Sequence, residues 1–288
     1  MFTTVLTVNT LDKIYSAYQH QSINFKPEKL GTYHLRLLMR KGLLQYAVVS
    51  ENQKILAAKE YRSKKEMDFG DFFDAIFQQD YFLKEEYASV RVINGNLEFS
   101  LIPTAHFQAR QIKEFAGALV KDNFDIDHLQ YLNMDVGGAT AVFSVPFSLK
   151  QKCDYYLNKP EYVPFCLQAI NMSHWFAEKN ANLLLVNIFE GEFVLTAMID
   201  RKLSICNSYQ YESGTDIVYF VQVLLEILKI NPAETKMMFT GEFEADSELI
   251  RQLKKLIPTM IIPANQLQDT FETRSEKLPT WRYAYLTF

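Results

Sequence analysis

The chain has 288 residues, 48% hydrophobic and 14% aromatic, with a net charge of −4 at pH 7 and an isoelectric point near 5.8. Such a chain can bury a large core in one domain or two lobes and is not disordered. It lacks the basic surface that a phosphate backbone requires, so no nucleic-acid partner is expected. The three cysteines (Cys153, Cys166, Cys206) form no CxxC pair, and the five histidines (His20, His34, His106, His128, His174) form no HxxxH pair. Neither a disulfide framework nor a metal centre is expected, and a reduced, cytoplasmic setting fits. The opening MFTTVLTVNTLDKIY has no basic region followed by an apolar run, so no secretory signal is expected. No apolar stretch approaches the ~20 residues of a membrane span.

In chain order, residues 33–63 read as a three-stranded meander. Tyr33–Arg40 and Leu43–Ser50 flank Lys41-Gly42, and Ile55–Arg62 follows Glu51-Asn52-Gln53, with turn residues punctuating β-branched and aromatic runs. Residues 68–79 place Phe69, Phe72, Phe73, Ile76 and Phe77 at helical spacing behind acidic residues, which predicts a helix. The strand Ser89–Ile93, the turn Asn94-Gly95-Asn96, the strand Leu97–Ile102 and a helix near 106–120 follow. Strands His128–Met134 and Thr140–Val145 then flank Asp135-Val136-Gly137-Gly138-Ala139, and helical patterns occupy 148–157 and 162–179. The segment FSVPFSLKQ (143–151) echoes FSLIPTAHFQ (99–108), as strand-to-proline-to-helix units.

Residues 182–241 repeat the order of 33–95. Leu183–Phe189, Phe193–Ile199 and Leu203–Tyr209 form a second meander, followed by the helix Thr215–Lys229, the strand Lys236–Phe239 and the turn Thr240-Gly241. Gly42 aligns with Gly191, Lys54 with Lys202, Tyr61 with Tyr209 and Gly95 with Gly241, at offsets of 146–149 residues. An internal duplication is expected, with a first lobe over 1–180, including an N-terminal extension, and a second over 181–288. The terminal TWRYAYLTF alternates Trp281, Tyr283, Tyr285 and Thr287 with Ala284, Leu286 and Phe288. It predicts a strand buried on both faces, available to a sheet edge of this chain or of a partner.

Two meander-helix-strand runs in one chain resemble the actin, sugar-kinase and heat-shock-chaperone superfamily. LLLVNIFEGEFVLTAMIDRKL and KMMFTGEFEADSELIRQLKKL resemble the second lobe of its pilus-assembly and cell-division members. The whole chain resembles an uncharacterised bacterial family with a degenerate form of this fold. The resemblance implies an α/β protein of two duplicated actin-like, ribonuclease H-like subdomains, with mixed sheets and flanking helices. It also implies phosphate-binding hairpins carrying Asp-x-Gly, in which backbone N–H groups cradle phosphates and the carboxylate holds Mg²⁺ or orients the nucleophile. Here the first hairpin reads Met39-Arg40-Lys41-Gly42, without an acid, and the second has Asn187 where the acid is expected. The adenosine turn keeps Thr240-Gly241 but continues with Glu242 in place of a second glycine.

Two functions stay open. One is a non-catalytic actin-like scaffold or binding protein that has lost ATP hydrolysis. It has no catalytic residue, metal or cofactor, and works through a protein partner or self-association. The other is a nucleotide-dependent phosphotransferase or ATPase using Asp135, Gly137 and Gly138 with Thr240 and Gly241. Asp135-Val136-Gly137-Gly138-Ala139-Thr140 has the form of a phosphate hairpin, yet a plain Gly-Gly turn accounts for it as well, and helices follow where a third strand belongs. Asp125 and Asp127 either join Asp135 in a carboxylate cluster or end a strand in solvent. Cys206 reads as a small core residue, and His174, beside Trp175, as part of an amphipathic helix.

Overall fold

Alternating apolar residues and glycine turns build two similar sheets. The computed structural model describes residues 14–22, 24–117, 128–179, 181–261 and 280–288. The chain divides into two compact units. One takes the chain up to Asn96 together with Val145–Tyr162, and the other takes Leu97–Ser144 together with Val163–Phe288.

The first unit contains β1 (Ile14–Gln21), β2 (His34–Arg40), β3 (Leu43–Val49), β4 (Ile55–Ser63), α1 (Phe69–Gln79) and β5 (Ser89–Asn94). The second unit begins with β6 (Phe99–Pro103), α2 (Ile112–Gly117), β7 (Leu129–Asn133) and β8 (Ala139–Ser144). The chain then returns to the first unit for α3 (Phe147–Tyr156). It passes to the second within β9 (Glu161–Pro164), and continues with α4 (Phe165–Phe176), β10 (Asn182–Phe189), β11 (Glu192–Ile199), β12 (Lys202–Gln210), α5 (Gly214–Leu228), β13 (Thr235–Gly241), α6 (Glu248–Leu256) and β14 (Thr259–Ile261).

Strand order is β1-β4-β3-β2-β5-β9 in the first sheet, β12-β11-β10-β13-β14 in the second, and β6-β8-β7 in a small third sheet. The series β4-β3-β2-β5 and β12-β11-β10-β13 are the same arrangement, an antiparallel meander with a parallel strand added beside its first member. Tyr61 faces Leu44 as Tyr209 faces Phe193, and each meander has a register shift at the corresponding place, Val48/Val49 and Ala197/Met198. The register departs by one residue from the sequence alignment at the last turn. Asn94 stands opposite Met39 as Gly241 stands opposite Ile188, so Gly95 corresponds to Glu242.

In the first unit, Phe72, Phe73 and Ile76 of α1 and Leu149 and Cys153 of α3 pack on Leu35, Leu37, Tyr46 and Val48. In the second, Ile217, Val221 and Leu224 of α5 and Ile250 and Leu253 of α6 pack on Leu184, Val186, Leu195 and Phe239. The opposite face of that sheet, Leu183, Leu185, Met198 and Met238, is covered by Met172 of α4 and by Ala284. Sheets covered on both faces explain why β3 and β10 are apolar nearly throughout.

Several elements differ from the sequence expectations. The C-terminal nonamer is not a strand. It forms two 3₁₀ turns, Thr280–Arg282 and Ala284–Thr287, with Tyr283, Ala284, Tyr285 and Leu286 buried. Alternation carries no information where successive residues are all apolar and all enclosed. Residues 162–164, expected as the start of a helix, belong to β9, because Pro164 disfavours helical geometry at the residue before it and α4 starts only at Phe165. β1 and β14 were not anticipated. Of the helix expected near 106–120, the described residues form α2 after 3₁₀ turns at Thr104–His106 and Ala109–Gln111, and residues 118–127 lie outside the described ones.

Candidate functional site

The turn after β13 is where the resemblance places a nucleoside. Thr240 and Asn187 are fully buried and opposite each other in register, and the Asn187 Nδ2 donates to the Thr240 hydroxyl. The Asn187 Oδ1 is buried without a hydrogen-bond partner. The chain turns at Gly241, φ +91°, where a Cβ would collide with the Ile188 carbonyl oxygen, so the position admits only glycine. The next amide, of Glu242, donates to that oxygen at 2.7 Å.

Protein covers this turn. The Glu242 carboxylate lies 3.7 Å from the Arg282 guanidinium, both side chains being 15% exposed. The Trp281 ring packs on Phe243 at a centroid distance of 5.8 Å. The C-terminal segment thus supplies a cation and an indole at the place where a nucleoside would need open space. At the neighbouring β10–β11 hairpin, Gly191 has φ +74°, and a Cβ there would meet no atom within 4 Å. Its carbonyl accepts from the Tyr211 amide at 3.0 Å, and the Tyr211 hydroxyl donates to the Phe189 carbonyl at 2.8 Å. Glu190 and Glu192 flank the hairpin, and their charge would repel a polyphosphate.

In the first unit, the β2–β3 turn carries Gly42 at φ +70° and a Lys41–Glu66 ion pair. The Arg40 side chain lies against Gly95, where a Cβ would also come within 2.7 Å of the Met39 carbonyl oxygen. No carboxylate stands on this hairpin.

Asp135 is exposed in the β7–β8 turn. Gly137 (φ +89°) backs onto Leu203 of β12, with a Cβ position 2.7 Å from the leucine Cδ2, and the Gly138 carbonyl accepts from the Thr104 amide at 2.9 Å. The Thr140 hydroxyl donates to the Asn133 Oδ1 at 2.8 Å. Leu203 pairs with Met198, Met198 with Leu183, and Leu183 with Lys236, four residues before Thr240. Three strand spacings across and four residues along separate Leu203 from Thr240 by about 20 Å. The structure therefore does not bring Asp135, Gly137 and Gly138 together with Thr240 and Gly241.

Asp125 and Asp127 lie outside the described residues, and among those described no three His, Cys, Asp or Glu side chains converge to hold a metal ion. All three thiols are free and buried. Burial pushes the Cys206 thiol up to about 12 and raises those of Cys153 and Cys166, so none is a thiolate at neutral pH. His174 is half-buried, with its Nδ1 enclosed and unpartnered, and Trp175 beside it is exposed. No helix is long and apolar enough to cross a membrane among the described residues.

Residues 22–260 match the family described as Protein of unknown function (DUF3822). The chain belongs to that family. No curated protein matches it by sequence. Its structure is similar to that of a Bacteroides thetaiotaomicron protein with actin-like ATPase fold and unknown function. The TM-score is 0.71 at 16% identity, over 85% of this chain and 96% of that one. It is also similar to a structure described as a PilM-PilN type IV pilus biogenesis complex, with a TM-score of 0.59 at 13% identity, over 88% of this chain and 96% of that one. The fold of this DUF3822 chain is actin-like. The site features that sequence reasoning missed are Arg282 and Trp281, because nothing in their spacing announces a contact with residues about 40 positions earlier.

Proposed function

We propose that this protein is a non-catalytic actin-like binding protein that has lost ATP hydrolysis and acts through a protein partner. The observation that carries the reading is the covering of the β13 turn by Arg282 and Trp281 on Glu242 and Phe243. It is supported by Asn187 and Arg40 at positions where the superfamily uses carboxylates, and by Glu190 and Glu192 at the hairpin meant for phosphate. The Asp135 turn rests on Leu203, about 20 Å from Thr240, which speaks against one composite phosphate site. A protein partner is suggested by the complex in which one structural relative was captured, although fold likeness alone names no partner. We also infer an internal duplication, supported by the common strand order and the matching register shifts. The proposed lobe boundary near residue 180 falls between α4 and β10, and a cytoplasmic location remains part of the reading.

Calorimetric titration of the intact chain with ATP and Mg²⁺ tests the loss of nucleotide binding, and no saturable heat is expected. Micromolar binding weakened by Asp135→Ala would replace the reading with that of a phosphotransferase built on the β7–β8 turn.

A further inference from the structure

β2 and β5 run parallel, with His34 opposite Ser89 and Arg36 opposite Arg91. Strand alternation puts all four side chains on one face of the first sheet, opposite the face whose Leu35, Leu37, Val90 and Val92 join the α1–α3 core. Like charges directly across from each other on neighbouring strands repel, and arginine does not relieve the repulsion by losing its proton at ordinary pH. The protein supplies little compensation. The Arg91 Nε donates to Glu161 at 2.9 Å, a carboxylate that is itself 54% exposed. The Arg36 Nη1 donates to the Ser89 hydroxyl at 3.2 Å, and among the described residues no carboxylate lies within ion-pair range of Arg36.

Ser89 orients this group without neutralising it. Its oxygen lies 2.8 Å from the His34 Nδ1, and burial together with the nearby Arg36 charge lowers the His34 pKa. A neutral imidazole can therefore accept from Ser89 while the hydroxyl oxygen accepts from Arg36. Burial and then the charge of Arg91 push Arg36 down to about 10, with Glu161 offsetting them only in part, so its surroundings disfavour the charge it carries. Most of the five guanidinium donors remain for a ligand, and the planar fork suits a two-oxygen acceptor.

We propose that Arg36 and Arg91, with Ser89 and His34 beside them, form a binding site for an oxyanion, a carboxylate or phosphate group held between the two guanidiniums. The site lies at the start of β2 and β5, whereas the glycine turns lie at their ends. From Arg36 to Arg40 is about 13 Å of strand, so the site stands apart from the nucleotide question.

The test uses the intact chain, with inorganic phosphate and acetate titrated separately at constant ionic strength against chloride, and melting followed by circular dichroism. A saturable rise in the midpoint is expected with at least one of the two. A phosphate response assigns the site to phosphoryl ligands and an acetate response to carboxylates. In Arg36→Gln and Arg91→Gln the half-saturating concentration should rise at least about tenfold, the scale of a lost charge-assisted hydrogen bond. Their midpoints without added anion should equal or exceed the wild-type value, because one of two opposed charges is gone. If neither variant folds, the Arg36 Nε–H resonance of the wild-type chain must still shift on titration with the active anion. A stationary resonance, no response beyond that to chloride, or an undiminished response in both variants overturns the proposal.

Discussion

Four donors converge on the buried Asp80 carboxylate at the end of α1. The hydroxyls of Tyr46 and Tyr61 reach Oδ2 at 2.8 and 2.7 Å, Lys59 Nζ reaches it at 3.3 Å, and the Phe82 amide reaches Oδ1 at 3.0 Å. This cluster ties α1 to β3 and β4. Asp80→Ala leaves an enclosed cation and two hydroxyls without their acceptor. The expected loss is about 3 kcal/mol, read as a lower urea midpoint at unchanged slope. Burial, followed by the Asp80 contacts, holds the Tyr46 and Tyr61 phenols far above the ordinary tyrosine pKa. Their folded pKa exceeds the unfolded value of about 10, so their contribution is intact below about pH 10 and is lost above it as the unfolded chain ionises. Urea midpoints taken from pH 8 to 11 should fall at the alkaline end, and the fall should be shallower in Tyr46→Phe. None of this was legible beforehand. Tyr46 and Tyr61 lie 34 and 19 residues from Asp80, and the Phe-rich surroundings of Asp80 showed only helical core. At Gly241 the sequence did mark a turn, but the collision with the Ile188 carbonyl needs the parallel pairing of β10 with β13. Gly241→Ala should cost about 3 kcal/mol, against about 1 kcal/mol at Gly191, where only the positive φ opposes a side chain. Comparable losses at the two glycines in chemical denaturation would remove the steric argument.

Each helix pair closes over a glycine in the first turn of its leading helix. At Gly70 a Cβ would sit 2.8 Å from the Ser148 carbonyl oxygen of α3, and at Gly214 it would sit 3.2 Å from the Leu249 Cβ of α6. Backbone yields less than a side chain, so Gly70→Ala should cost more than Gly214→Ala, on the order of 1–3 kcal/mol at the former. Thermal melts of the two variants decide the order. The C-terminal turns are equally structural. Ending the chain at Pro279 removes Tyr283, Ala284, Tyr285 and Leu286, all buried, and lost burial on that scale exceeds the stability of an ordinary domain. The truncated chain should show no cooperative melt. A truncated chain that melts like the intact one would show that these turns are dispensable. The main helices and strands were legible because the period changes from 2 to 3.6 along the chain. β9 and β14 escaped because four and three residues are too few to establish a period.

At the scale of the molecule, aromatic abundance does not by itself point to an interface. The chain has 22 Phe and 16 Tyr, and Tyr46, Tyr283, Tyr285, Phe72, Phe73, Phe143, Phe165, Phe189, Phe193 and Phe239 are among its largest fully enclosed side chains. The core uses much of this aromatic supply. The proposed loss of nucleotide binding has a companion expectation at this scale. Arg282→Ala and Trp281→Ala should loosen the C-terminal cover without creating ATP affinity, because Glu242, Glu190 and Glu192 still oppose phosphate. Calorimetry on the double variant checks this, and micromolar ATP binding there would mean that the cover alone closes a competent site.

The sequence alone determined the α/β class, the two meanders with their helices, and the absence of the expected aspartates from the first and second hairpins, since periodicity and residue identity are local properties. Tertiary structure decided what the C-terminal nonamer is, what lies over the β13 turn, and that the Asp135 turn stands apart from Thr240. It also set Arg36 against Arg91. Each of these depends on which strands become neighbours and in what register, and that is fixed by burying whole faces together, not by any residue's own preference.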